Sequence, residues 1–420
     1  MRLRRVLPLA LEWLHDDPVL LLEGPRSVGK STLLREIASA ADGVIVDLDD
    51  PGVRDAVAAD PALFVQGDRL VCIDEYQKAP VVLDAIKAEL NQQTAPGRFI
   101  LAGSARHDTL PAASQALTGR MSRLRVLPLS QGELAGVREN FLSLVNESPA
   151  SVVTADRSTT QRGDYIARIV RGGFPLAVGT STPTARQRWI DEYLRSTLER
   201  DVRELSQLRQ GHLLETVLDR LAGQTAQILN VNNVARSTGL DNSTIDSYIS
   251  LLEKVFLVRR LPAWGKTLTA RSASSPKIHV LDSAIAARLM RVTPEKLATL
   301  DPTAQTELGH LLETFAVGEL LKQASWCAEV SGVGHWRTHD HLEVDLVVEL
   351  DDGGVMGFEV KSGSRVPGDQ LKPLKKLREA VGQNFRAGYA LYLGERAYTF
   401  EDRIHVVPLD RLWTRHSDDE

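Results

Sequence analysis

The sequence predicts an α/β fold in which a parallel sheet with helices on both faces precedes a helical region and a second α/β region. Two patterns favour this. Short β-rich runs alternate with helical stretches from about residue 19 to 130, which is typical of βαβ units. Strand-like alternation then returns from about residue 275, after a largely helical stretch. The runs expected to form the first sheet are 19–23, 44–48, 69–74, 98–103 and 123–129.

Composition indicates a folded, multi-domain protein of 420 residues, since domains average roughly 150 residues. The net charge of -5 argues against a basic surface made for nucleic acid, so DNA would need a local patch. Cys72 and Cys327 are far apart, which excludes a disulfide framework or a cysteine zinc site and favours a cytoplasmic location. The apolar runs are too short for a membrane helix, so we expect no membrane partner.

The first candidate site is a glycine-rich loop, GPRSVGKS at 24–31, which follows an apolar strand and precedes a helix. This pattern binds phosphate through backbone amides at a helix N-terminus. Lys30 would reach the β- and γ-phosphates and Ser31 would offer its hydroxyl to Mg²⁺, so ATP and Mg²⁺ are the expected cofactors. The predicted nucleotide-binding residues are Gly24, Pro25, Arg26, Ser27, Val28, Gly29, Lys30, Ser31 and Thr32.

Two acids close the apolar run 69–74, and a serine follows the run 98–103. Asp74 is predicted to hold the Mg²⁺ shell, while Glu75 orients or deprotonates a water. Paired acids behind a phosphate loop favour hydrolysis over nucleotide storage. Ser104 would touch the γ-phosphate or the attacking water, although a strand-capping serine is an equal alternative.

Beyond these motifs, the chain resembles the AAA-type ATPases of bacteria and archaea that carry domain of unknown function 4143. The similar segments cover most of the chain: GPRSVGKST, DLDDPGVRDAVAADPALF, IDEYQKAP, LAGSA, LTGR, LPLS, GGFP, GHLLETFAVGELLK, WRTHDHLEVDLVVEL and GFEVKSG. The resemblance implies an AAA-type P-loop ATPase core followed by a helical lid.

The same resemblance suggests roles for Arg120 and for the GGFP turn. Arg120 would be an arginine finger or sensor; a finger is often supplied by a neighbouring subunit, so we expect a homo-oligomer. Its competitors are Arg106, Arg123 and Arg125. Phe174 and Pro175 would touch adenine, or else pack in a helix break.

A winged helix-turn-helix is predicted next. A helix within 229–237, with its N-cap at Asn230 or Asn232, would end at Gly239. A second helix over 242–253 has apolar residues at 245, 248, 249 and 252. The β-like run 255–261 follows as a wing would. Arg259, Arg260 and Lys266 could meet phosphates, but Asp241, Asp246 and Glu253 would repel them, so we favour an interdomain or protein contact.

The C-terminal region resembles the PD-(D/E)xK nuclease superfamily. The runs 341–350 and 355–361 alternate, so Asp345, Glu359 and Lys361 share a polar face if a three-residue loop at 351–353 joins them. The two carboxylates would hold a divalent metal, the lysine would steady a hydroxide or phosphate, and Glu313 would be an additional acid. The alternative is a catalytically idle binding module. The nearby basic residues that would suit a DNA groove are Arg365, Lys372, Lys375, Lys376, Arg378 and Arg386.

These interpretations divide the chain into five segments: the AAA-type core at 1–142, a linker at 143–163, the lid at 164–215, the winged helix-turn-helix at 216–268 and a restriction-endonuclease-like α/β domain at 269–420. The expected function is Mg-dependent ATP hydrolysis coupled to the winged-helix and nuclease-like modules, on or near DNA. The alternative is an ATP-gated switch that binds a protein partner, with an inert nuclease-like domain.

Overall fold

The computed structural model describes residues 3–103, 117–202, 211–265, 267 and 275–414. Ser104, Arg106 and Lys266, which were singled out above, lie outside these residues. The described residues form two compact units. The first runs to residue 129 and includes short segments at 199–202 and 254–256; the second contains 130–198, 211–253 and 257–414.

The first unit is built on a parallel sheet with the strand order β2-β3-β4-β1-β5. Each of the five predicted runs contributes a strand: β1 Val19–Glu23, β2 Val44–Asp47, β3 Val71–Asp74, β4 Phe99–Gly103 and β5 Met121–Arg125. The helices described here are α1 Val6–Trp13, α2 Lys30–Ala40, α3 Pro51–Ala59 and α4 Val81–Gln92. The predicted α/β class and the parallel sheet are therefore confirmed.

The second unit begins with short helices and continues into a small antiparallel sheet of order β6-β8-β7. Its first helices are α5 Gln131–Ala135, α6 Phe141–Glu147, α7 Arg162–Arg171, α8 Pro175–Val178, α9 Pro183–Ser196, α10 Gly211–Ala222, α11 Val231–Thr238 and α12 Asn242–Lys254. The strands of the small sheet are β6 Gln227–Ile228, β7 Val258–Leu261 and β8 Lys277–Val280.

A mixed six-stranded sheet of order β13-β14-β12-β11-β10-β9 forms the rest of this unit. Its strands are β9 Val330–Arg337, β10 Glu343–Leu350, β11 Val355–Lys361, β12 Phe385–Tyr392, β13 Tyr398–Glu401 and β14 Ile404–Pro408. The helices are α13 Ser283–Leu289, α14 Pro294–Ala298, α15 Pro302–Ala324 and α16 Lys372–Val381. Leu374 and Leu377 of α16 pack against Val344 and Val347 of β10 in the core.

The turn between β10 and β11 has the predicted length. The Leu350 amide donates to the Gly354 carbonyl oxygen at 2.8 Å, which leaves residues 351–353 as the loop. Leu346 pairs with Phe358 and Val347 with Gly357. Continuing this register puts the positions of Asp345 and Glu359 side by side.

The two helices predicted around Gly239 are also present. Asn230 caps α11 by accepting a hydrogen bond from the Asn233 amide at 2.9 Å, and Gly239 ends it with a φ of 73°. The four apolar positions of α12 are buried: Ile245, Tyr248, Ile249 and Leu252.

The segment 143–163 differs from the predicted linker. It starts inside α6, whose Phe141, Leu142 and Val145 are buried, and it ends inside α7. Between the two helices, the Ser158 hydroxyl donates to the Asp410 carboxylate at 2.6 Å. Small polar residues therefore fix this segment to the end of the mixed sheet rather than leave it solvated.

Within the described residues, no helix has both the length and the apolar character needed to cross a membrane.

Candidate functional site

The phosphate loop lies between the end of β1 and the start of α2, and two of its glycines are sterically required. Gly29 has a φ of 95°, a left-handed conformation at the N-terminus of α2. A Cβ on Gly24 would lie 2.2 Å from the Val126 carbonyl oxygen. The loop therefore keeps a backbone path that lets amides approach a phosphate closely.

Lys30 is buried within this loop, with 6% of its surface exposed. Its ammonium donates to the carbonyl oxygens of Gly24 at 2.9 Å and Pro25 at 2.7 Å. Arg4, which sequence reasoning missed, donates to the Val28 and Leu127 carbonyl oxygens at 3.3 and 2.6 Å. Arg4 lies far from the loop in the sequence and belongs to no motif, so the sequence did not indicate this role. Its hydrogen bond to Val28 nevertheless helps to hold the loop in place.

Three carboxylates, those of Asp47, Asp74 and Glu75, lie at the carboxyl ends of β2 and β3. The Asp74 carboxylate accepts a hydrogen bond from the Ser31 hydroxyl. Asp47, a residue not predicted, pairs with Asp74 across the two strands. Burial raises the pKa of Asp74, the Ser31 hydrogen bond lowers it, and the charge of Asp47 raises it. A hydroxyl and a carboxylate side by side are oxygen ligands of the kind that Mg²⁺ takes.

Glu75 follows Asp74 in a left-handed conformation, with a φ of 52° that is costly for a residue other than glycine. The Gln77 side-chain amide donates to its carboxylate. Burial raises the pKa of Glu75, whereas Lys30 and the Gln77 hydrogen bond lower it. The strained backbone thus holds a half-buried, hydrogen-bonded carboxylate beside Asp74.

The candidate arginines have different surroundings. Arg120 donates from Nη1 to the Asn91 side-chain oxygen at 2.7 Å. Arg123 and Arg125 are exposed on the edge strand β5, and Arg125 lies 3.5 Å from a Glu23 carboxylate oxygen. The choice of Arg120 as finger stays a prediction.

The GGFP turn is built into the second unit. The Gly173 amide donates to Asp282 at 2.8 Å. Phe174 is only 2% exposed, and its ring lies 5.6 Å from Trp189 and 4.8 Å from Tyr193. Pro175 starts α8. These contacts favour the packing alternative, because adenine could meet Phe174 only if the ring left this cluster.

The structure brings together all four residues of the candidate nuclease site: Glu313 of α15, Asp345 of β10, and Glu359 and Lys361 of β11. Lys361 donates to a Glu359 carboxylate oxygen at 2.6 Å. The Val360 amide donates to Asp345 at 2.9 Å. Burial and the nearby Asp345 raise the pKa of Glu359 to about 8, against the opposing effect of Lys361.

Lys277 of β8 is the residue that sequence reasoning missed here. Its ammonium lies 2.6 Å from Glu313, 2.5 Å from Glu343 and 2.9 Å from Asp345, and 1% of its side chain is exposed. Burial alone would lower the pKa of Lys277, but these carboxylates raise it well above its ordinary value. The signal available was a lysine opening a short apolar strand, which also describes an ordinary strand end.

This arrangement does not fit a divalent metal. Glu313 and Asp345 already bind the Lys277 ammonium, and Glu359 binds the Lys361 ammonium through one of its two oxygens. Across the part of the chain that the structure describes, no set of three or more His, Cys, Asp or Glu side chains is arranged to hold a metal ion.

Several basic side chains near this site contact acids. Lys375 and Arg378 of α16 each lie 2.8 Å from Glu401, and Lys376 lies 2.8 Å from Glu379. On β7, Arg260 lies 2.6 Å from Glu253. These pairs weaken the case for phosphate contacts.

Comparison with protein families matches three stretches of the chain. Residues 16–135 match an AAA domain, and residues 308–412 match domain of unknown function 4143. The chain therefore joins an AAA-type, ATPase-like domain to domain of unknown function 4143. These two parts of the predicted resemblance are confirmed. Residues 162–296 match domain of unknown function 8612, which the sequence reasoning did not anticipate.

Similar whole proteins include uncharacterized proteins of Mycobacterium tuberculosis and Mycobacterium bovis. Each is 29% identical over 425 residues, covering 100% of this chain and 85% of the relative. Among solved structures, a Walker-type ATPase of Pyrococcus abyssi is 13% identical, with a TM-score of 0.39, covering 67% of this chain and 94% of that one. A RuvB variant of Thermotoga maritima is 20% identical, with a TM-score of 0.27, covering 61% and 87%.

Proposed function

We propose that this protein binds and hydrolyses ATP with Mg²⁺, and that hydrolysis drives a switch involving its winged-helix and nuclease-like modules. The observation that carries the proposal is the grouping of Lys30, Ser31, Asp74 and Glu75 at one edge of a parallel sheet. The match of residues 16–135 to an AAA domain supports it.

Each side chain has a distinct task in this proposal. Lys30 exchanges the carbonyl oxygens of Gly24 and Pro25 for phosphate oxygens when nucleotide binds. Ser31 and Asp74 would hold Mg²⁺, which supplies charge neutralisation on the phosphates. Glu75 orients a water and accepts its proton, for which its raised pKa makes it a better base than an exposed glutamate.

The winged-helix assignment is supported by the chain order α10, β6, α11, α12, β7, β8, in which the strands form one antiparallel sheet. Nuclease-like architecture is supported by the acids and the lysine on β10 and β11. The acid-paired cations of α16 and the wing favour a protein partner over DNA as what the switch acts on.

The test is phosphate release by the purified full chain, measured with ATP, with and without Mg²⁺ and with and without DNA. We expect Mg-dependent release that DNA leaves unchanged, and no release by Lys30→Ala. A DNA-dependent rise would instead support the DNA-linked form of the proposal. No phosphate release under any condition would contradict ATP hydrolysis itself.

A further inference from the structure

The nuclease-like site contains a cation that comes from a different part of the fold. Glu313, Glu343 and Asp345 belong to α15 and the mixed sheet. Asp345 is one of the two carboxylates on which the nuclease resemblance depends, and Glu313 is its additional acid. Lys277 comes from β8 of the small antiparallel sheet. It lies in the stretch that matches domain of unknown function 8612, whereas the acids lie in the stretch that matches domain 4143.

The number of carboxylates around the Lys277 ammonium equals its number of N–H donors, and all of them lie within hydrogen-bond distance. A lysine ammonium has three N–H donors and no acceptor. Three carboxylates surround it, each with an oxygen within 2.5–2.9 Å of Nζ. Each donor can therefore meet one carboxylate, and the acids converge on the nitrogen as they would on a metal ion.

A second lysine does not have this position. Lys361 contacts Glu359, and 22% of its side chain is exposed, against 1% for Lys277. The other Glu359 carboxylate oxygen, Oε2, is buried without a hydrogen-bond partner among the described residues. The cluster thus still has an oxygen that a cation could use if the Lys277 ammonium were absent.

We infer that Lys277 takes the place of the divalent cation in the nuclease-like site. The module therefore does not cleave DNA, and the acids serve to fasten β8 and its sheet to the C-terminal α/β domain. This inference rests on the proposed nuclease-like module and is independent of ATP hydrolysis.

The inference is tested with the full chain, without nucleotide, by measuring free Mn²⁺ by electron paramagnetic resonance. Wild-type protein and Asp345→Asn should bind the same amount of Mn²⁺. Lys277→Met should bind an additional ion, and the Lys277→Met/Asp345→Asn double variant should lose it. Lys361→Met is the matched control and should gain none, since its ammonium does not join the three converging acids.

The decisive opposite result is a Mn²⁺ ion that binds to wild type and is lost in folded Asp345→Asn. A folded Lys277→Met protein that gains no ion would equally overturn the inference. If Lys277→Met does not fold, the inference is tested instead by measuring whether the wild-type protein cleaves DNA with Mn²⁺. Absence of Mn²⁺-dependent cleavage supports the inference, and cleavage abolished by Asp345→Asn refutes it. Phosphate release from ATP is scored separately, so that a failure of the ATPase proposal is distinguishable.

Discussion

The carboxylate of Glu75 lies in a setting suited to a general base. It is half-buried, it follows the end of β3, and it accepts a hydrogen bond from Gln77. A base works only when deprotonated, so a raised pKa moves the loss of activity to higher pH. If Glu75 is the base, its surroundings set the acid limb of the pH profile.

Gln77→Ala tests this assignment through pH. Burial raises the pKa of Glu75 and the Gln77 hydrogen bond lowers it, so removing Gln77 should raise the pKa further. We expect the acid limb of kcat/KM for ATP hydrolysis to move to higher pH. Gln92→Ala, on the exposed surface of α4, is the control and should leave the limb in place. An acid limb that stays unmoved in Gln77→Ala would argue against Glu75 as the titrating base.

Some residues of the candidate sites could be predicted from the sequence, and others could not. Lys30, Ser31, Asp74 and Glu75 could be found because their spacing follows a strand and a loop with known chemistry. Asp47 could not, because its proximity to Asp74 depends on strand order. Lys277 could not either, since its acids follow it by between 36 and 68 positions, and only tertiary packing brings them to its ammonium.

At the scale of elements, strands were predictable because a short run of apolar residues bounded by turns usually forms a buried strand in an α/β protein. All five strands of the first sheet were anticipated in this way. The β10–β11 loop was anticipated from the alternation of the two strands, because only some loop lengths put Asp345 and Glu359 on one face. The linker was not, because serine and threonine suit both a solvated segment and one that binds a buried carboxylate such as Asp410.

Gly172, in the turn between α7 and α8, should be required for stability. Gly172 has a φ of 65°, and a Cβ there would lie 2.3 Å from the Asp282 carboxylate and 2.8 Å from the Ala284 Cβ. Strain and overpacking together should make Gly172→Ala less stable by about 2–5 kcal/mol. The measurement is the urea midpoint followed by tryptophan fluorescence.

Gly163→Ala is the matched control for this turn. It lies in α7, and a Cβ there would have no heavy atom within 4 Å. Alanine should leave the midpoint unchanged or raise it slightly, since it favours helix. Equal midpoints for the two variants would contradict the packing role assigned to Gly172.

At the scale of the whole molecule, the family matches follow one another along the chain: AAA domain, domain 8612 and domain 4143. The match at 162–296 spans both the predicted lid and the predicted winged helix-turn-helix. The AAA domain and domain 4143 were easier to predict than the stretch between them, because their residues carry recognisable chemistry.

Self-association through the ATPase module is the prediction at this scale. If Arg120 acts on the nucleotide of a neighbouring subunit, Arg120→Ala should bind ATP normally and release little phosphate. Mixing Arg120→Ala with Lys30→Ala should restore part of the turnover, since an intact arginine then meets an intact phosphate loop. Light scattering with a non-hydrolysable ATP analogue should show an oligomer. A strict monomer with full activity would rule out a finger acting between subunits.

The central claim is that Glu75 supplies the base for ATP hydrolysis at a loop that binds nucleotide independently of it. The most direct measurement compares nucleotide binding and phosphate release in wild type and Glu75→Gln. We expect Glu75→Gln to bind ATP as wild type does and to lose turnover by about a hundredfold or more, as the loss of a general base requires. Phosphate release at the wild-type rate by Glu75→Gln would contradict the account.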